Sequence, residues 1–81
     1  MTNRLPASKV KQIISEKLGI EEHKLLEDLS FKDDLGVDSL DLVEVVWEVE
    51  KKFKLSIPDE ELENIITIGD LTRYVGRKVA A

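Results

Sequence analysis

The sequence predicts an all-α fold: a small antiparallel bundle of three main helices plus one short helix, with a long loop between helices one and two. Three observations support this. Apolar residues recur at helical spacing in three separate segments, and no segment shows the alternation of a half-buried strand. Residues that start or stop helices (Pro6, Gly19, Asp38, Pro58, Thr67) fall at the segment boundaries. At 81 residues the chain has room for one domain, expected to span 1–81, with a core too small for a deep catalytic cleft.

The first helix is expected from Pro6 to Leu18, with Val10, Ile13, Ile14 and Leu18 on one face. Pro6 suits a first turn, where its missing N–H costs nothing, and Gly19 can close the helix in a left-handed conformation. The second and best-patterned helix is expected from Asp38 or Ser39 to Phe53. At about 100° per residue, Leu42, Val45, Val46, Val49 and Phe53 share one arc with Val43 at its edge. Asp41, Glu44, Glu48 and Lys52 occupy the other side, and Asp38 is the expected N-cap. Lysines at 51, 52 and 54 suit the negative end of the helix dipole.

A short third helix is expected from Pro58 to Asn64, with Asp59, Glu60 and Glu61 favourably placed in its first turn. The fourth runs from Thr67 to Val79, its apolar stripe made of Ile68, Leu71, Tyr74, Val75 and Val79. Thr67 and Asp70 resemble a capping box, with Asp in place of the longer Glu or Gln. Residues 19–38 form a connection of about 20 residues, long for a compact domain. Leu25, Leu26, Leu29, Phe31 and Leu35 are expected to pin it across the helix ends.

Composition narrows the function. Seventeen acidic against twelve basic residues give a net charge of −5, which disfavours nucleic acid and favours partners with basic patches. No cysteine is present, so disulfides, thiolate metal sites and protein-borne thiol chemistry are excluded. No apolar run reaches the roughly 18 residues that span a bilayer, so no membrane insertion is expected. Met1–Pro6 has neither the apolar core of a signal peptide nor the composition of a transit peptide.

The most informative stretch is Asp33-Asp34-Leu35-Gly36-Val37-Asp38-Ser39-Leu40-Asp41-Leu42. It sets one serine at the start of the strongest helix, where free N–H groups and about half a positive charge stabilise an attached phosphate. The bland alternative is that Ser39 merely caps the helix beside Asp38. A hydrolase is a poor reading: Gly36-Val37-Asp38-Ser39-Leu40 lacks the second glycine of a nucleophile elbow, and the one histidine is distant. His23, among Glu21, Glu22 and Lys24, reads as solvated. Asp33, Asp34, Asp38 and Asp41 lack the spacing of a calcium loop, so no metal site is expected.

Asp34-Leu35-Gly36-Val37-Asp38-Ser39-Leu40-Asp41, followed by Val43-Glu44, resembles the prosthetic-group site of acyl carrier proteins. The similarity continues through Phe53 and Ile57-Pro58-Asp59-Glu60-Glu61 to Thr67. Upstream, Val10-Lys11-Gln12-Ile13-Ile14 and Lys17-Leu18-Gly19-Ile20 resemble the family's first helix, so that about residues 6–79 are covered. The resemblance implies a carrier of growing acyl chains in fatty acid biosynthesis, not an enzyme. Its cofactor would be 4′-phosphopantetheine, transferred from coenzyme A to Ser39 by a phosphopantetheinyl transferase, with Asp38 supporting the loading. The arm's thiol would hold acyl groups as thioesters, which fits a chain without cysteine. A cytoplasmic monomer is implied. Its partners would be fatty acid synthesis enzymes with basic docking patches, met by Asp41, Glu44 and Glu48. Two alternatives stay open: a carrier for a polyketide, aminoacyl or specialised lipid pathway, and an unmodified helical adaptor.

The chain departs from the family pattern at Lys51 and Lys52, where many relatives are acidic, and at Trp47, where an aliphatic residue is commoner. The docking face is therefore confined to the first three turns of the second helix: Leu40, Asp41, Glu44, Trp47 and Glu48. Trp47 falls near Leu40 on the helical wheel, beside Glu44 and Lys51. It is either a core-edge residue or, with Leu40, part of an exposed apolar strip at an interface centre.

Overall fold

The computed structural model describes residues 5–80, so the reading of the first few residues partly lies outside the described residues. Four α-helices follow in order: α1 (Leu5–Leu18), α2 (Ser39–Phe53), α3 (Asp59–Leu62) and α4 (Ile68–Ala80). A single 3₁₀ turn, Glu22–Lys24, lies in the long loop. No strand occurs among the described residues, only an isolated antiparallel bridge between Ser30 and Thr67.

Each main helix contributes its apolar stripe to one core. Val10, Ile13 and Ile14 come from α1, Val45, Val46 and Val49 from α2, and Ile68, Leu71, Tyr74 and Val75 from α4. Val79, expected in the last stripe, is instead 46% exposed, one turn beyond Val75 at the end of the helix. α1 and α2 run antiparallel: Lys17 reaches Glu48 at 4.0 Å, while Ile13, one turn earlier, lies in a groove with Lys51 and Lys52. As expected, Gly19 ends α1 with φ +70°, and its N–H donates to Ser15 O at 2.8 Å.

At the other end of α2 the left-handed residue is Lys54, φ +56°, and its N–H donates to Glu50 O. A lysine there forgoes the ease glycine has in that region. Glu50 also reaches forward, its Oε2 accepting from Ile57 N at 2.7 Å. This ties the loop before α3 to α2. α3 itself is shorter than expected: one helical turn, continued by a turn at Glu63 and Asn64.

The long loop is ordered because its apolar residues are core residues. Leu25, Phe31 and Val37 are buried, and Leu29 and Leu35 pack partly against the core. Leu26 corrects the expectation: it is 57% exposed, because adjacent side chains diverge and Leu25 takes the inward position. The loop's carbonyls also satisfy helix donors. Ile68 N donates to Leu29 O at 3.0 Å and Gly69 N to Glu27 O at 2.8 Å, which pairs two of the N–H groups a helix start leaves free. A long loop can thus be compact when it completes another element.

Candidate functional site

The start of α2 is built by its two neighbours in sequence and by the loop below it. Asp38 is extended at φ −86°, ψ −179°, and its Oδ1 accepts from Asp41 N at 3.0 Å. Its backbone carbonyl accepts from Leu42 N at 3.0 Å. Asp38 therefore caps the helix, and Ser39 is the first helical residue with an exposed side chain. Among the described residues no hydrogen bond engages Ser39 Oγ or the N–H groups of Ser39 and Leu40. The capping explanation for Ser39 falls away, because its neighbour does that work.

A tight turn holds the approach to the helix. Ser30 N donates to Asp34 Oδ2 at 2.7 Å, and Asp33 N donates back to Ser30 Oγ at 3.0 Å. This accounts for Asp34: it is a structural acceptor. Gly36 adopts φ +68°, a conformation costly for residues with a Cβ, and the chain then turns so that Val37 N donates to Phe31 O at 2.7 Å. Phe31 N in turn donates to Ile66 O at 2.9 Å. The segment before α4 and the segment before α2 are thereby held side by side.

Between them lies a cleft of about 350 Å³. Its apolar wall is Phe31, Val37, Leu42, Ile65 and Ile66, and Ser39, Asp38, Asp33, Ser30 and Lys32 complete it. Ile65, Ile66 and Lys32 were not singled out from the sequence. The Ile-Ile pair immediately before the Thr67 cap was a visible signal, but nothing local said which cleft it lines.

The α2 face expected to dock partners divides into two parts. Leu40 and Trp47 are 74% and 59% exposed, as the interface reading of Trp47 requires. Asp41 and Glu44 are exposed and make no ion pair among the described residues. Glu48 differs: its Oε2 lies 3.3 Å from Lys51 and 4.0 Å from Lys17. His23 is solvent-exposed, 3.6 Å from Glu21. Among the described residues no group of three or more His, Asp or Glu side chains could hold a metal, and no helix is long and apolar enough to cross a membrane.

Comparison with known proteins bears directly on this geometry. Residues 8–75 match the family described as the phosphopantetheine attachment site. Among solved structures, the chain is similar to the acyl carrier protein from Enterococcus faecalis, with 38% identity and a TM-score of 0.78 over 95% of this chain and 98% of that one. A match across the whole bundle, with a free serine heading its best-formed helix, leads to one assignment: the chain belongs to the phosphopantetheine-bearing family and is an acyl carrier protein.

Proposed function

We propose that Ser39 carries a 4′-phosphopantetheine arm, and that the protein is a single-domain, monomeric cytoplasmic carrier of growing acyl chains in fatty acid biosynthesis. The observation that carries the reading is the division of labour at the start of α2. Asp38 caps the helix by accepting from Asp41 N and Leu42 N, and Ser39 Oγ is left exposed and unengaged. On loading, the Ser39 Oγ–P bond would form as the pyrophosphate linkage of coenzyme A breaks, adenosine 3′,5′-bisphosphate leaving and the hydroxyl proton passing to the transferase. The new phosphodiester would then sit beside the N–H groups of Ser39 and Leu40, at the positive end of α2. Asp38, adjacent and exposed, can support loading by orienting the serine and by offering a carboxylate to the transferase's metal.

The arm supplies the thiol that the chain lacks, and acyl groups ride on it as thioesters. The protein's own contribution is therefore to present cargo, not to transform it. The Leu40-Asp41 and Val43-Glu44 pairs after the serine favour the fatty acid type. Partners with basic patches would meet Leu40, Asp41, Glu44 and Trp47, with Glu48 a weaker member because two lysines already lie on it.

Incubation with coenzyme A and a phosphopantetheinyl transferase, followed by intact-mass measurement, tests the attachment. One added group on the wild type and none on Ser39→Ala, with helix content unchanged, is expected. Modification that persists in the alanine variant would end the assignment. The pathway is tested separately by the acyl group found on the protein from its native cell. A polyketide or aminoacyl cargo would overturn the fatty acid reading.

A further inference from the structure

One residue lining the Ser39 cleft is a lysine that the attachment reading leaves unused. Of the residues lining it, Lys32 alone is basic, against the carboxylates of Asp33 and Asp38. Lys32 is exposed and makes no ion pair among the described residues, so no carboxylate already holds its ammonium. Its backbone is fixed: it lies inside the turn closed by the Ser30–Asp34 hydrogen bonds, and its carbonyl accepts from Gly36 N at 3.2 Å. A diester on Ser39 would add negative charge to a cleft that Asp33 and Asp38 already line, with Asp41 two residues further along α2. Like charges at such spacing repel, and the α2 dipole offsets only part of this, since Asp38 already occupies one of the free N–H groups.

Building on Ser39 as the attachment point, we propose that Lys32 is a positioning residue that pairs with the phosphodiester of the arm. The pair would hold the base of the arm over the cleft, against Ile65 and Ile66, and bias the cargo toward the apolar wall. The long flexible side chain suits this role, because an ammonium reaches a diester oxygen as a point charge from many directions.

Competitive labelling of lysines with an amine-reactive reagent, read by mass spectrometry, tests the pair on the unmodified and the loaded wild-type protein. Lys24, whose ammonium lies 3.5 Å from Glu21 in the 3₁₀ turn, serves as internal reference. Relative to Lys24, Lys32 should label roughly two- to fivefold more slowly once loaded, the range an exposed ion pair supports. Most of the difference should vanish at about 1 M salt, where screening acts within about 3 Å. In the loaded protein Lys32→Gln should shift the phosphorus resonance, and Lys32→Arg should largely restore it. Equal labelling of Lys32 before and after loading overturns the proposal. So does a slowing that salt leaves unchanged, which would mean steric cover. The intact mass is read first: if no group is added at Ser39, the attachment reading fails and this inference with it, whereas loading with unaltered Lys32 reactivity removes the inference alone.

Discussion

Trp47 is the bulkiest of the exposed hydrophobic side chains among the described residues, with 59% of its surface open to solvent. Burying a tryptophan stabilises a fold by several kcal/mol, so one left more than half exposed adds little to folding and is available for association. Trp47→Ala should cost less than about 1 kcal/mol in urea unfolding and should weaken binding to partner enzymes. Small-molecule quenching of its fluorescence should be efficient in the free protein and fall on complex formation. A loss of several kcal/mol on substitution would return the residue to the core. The neighbouring carboxylates separate on the same logic. Glu44 makes no ion pair among the described residues, whereas Glu48 lies 3.3 Å from Lys51. Charge reversal at Glu44 should slow association more than reversal at Glu48, and both more than at Glu22, with the gaps closing as salt rises. Equal slowing by Glu44→Lys and Glu22→Lys at low salt would deny the α2 face a special role.

At the scale of elements, α4 separates what was legible from what was not. Its capping box was readable because it is local: Asp70 N donates to Thr67 Oγ1 at 3.1 Å, and Thr67 N donates to Asp70 Oδ2 at 3.0 Å. The same locality made Gly19 and Asp38 readable. Illegible were the contacts set by the tertiary fold: the Glu27 and Leu29 carbonyls on α4, the Glu50 carboxylate on Ile57 N, and the outward turn of Leu26. The Ser39 site divides in the same way, since serine and cap lie in one motif but Ile65, Ile66 and Lys32 reach the cleft only through folding. Gly69 records the tertiary constraint. A Cβ there would lie 2.9 Å from Glu27 O, a backbone atom, whereas one at Gly76 would meet nothing within 4 Å. Gly69→Ala should therefore destabilise by about 1–3 kcal/mol, and Gly76→Ala should stabilise by about 0.5–1 kcal/mol. Similar unfolding midpoints for the two variants would contradict the close approach. The box also has a pH signature. The Thr67 N–H holds the Asp70 carboxyl below the ordinary carboxylate range against the opposing effect of burial, with Ile66 N–H and Arg73 adding to it. A depressed folded-state pKa means stabilisation is fully present above the unfolded value of about 3.9 and is lost as pH falls through the folded value. Asp70→Asn should thus cost about 1 kcal/mol at pH 7, and the gap to wild type should narrow toward pH 2. A gap constant across that range would show that the charge plays no part.

For the molecule as a whole, the arrangement to explain is an acyl carrier with a largely apolar cleft that opens beside the residue proposed to hold the cargo. The cleft's walls come from three parts of the chain: the loop at Phe31 and Val37, α2 at Leu42, and the Ile65–Ile66 segment before α4. The loop is joined to the segment around Ile66 by Phe31 N to Ile66 O and by the Leu29 and Glu27 carbonyls on the start of α4, whereas among the described residues no hydrogen bond joins α2 to Ile65 or Ile66. With no hydrogen bond between them, Leu42 on α2 and the half-open Ile66 can part by small side-chain shifts, while the buried Phe31, Val37 and Ile65 form the floor shared with the core. An alkyl chain on the arm would otherwise stay in water, and sheltering it contributes up to about 0.8 kcal/mol for each CH₂ buried, less the cost of widening the cleft. Because cargo that occupies only the folded state stabilises it, the thermal midpoint should rise with acyl chain length in a saturated series. The rise should stop once about 350 Å³ and whatever the walls yield are filled, after which added carbons stay in solvent. Leu42→Ser, which makes the wall more polar without touching Ser39, should flatten the series while leaving the arm loaded. A midpoint independent of chain length in the wild type would mean that the cargo rides exposed and the cleft serves only the arm.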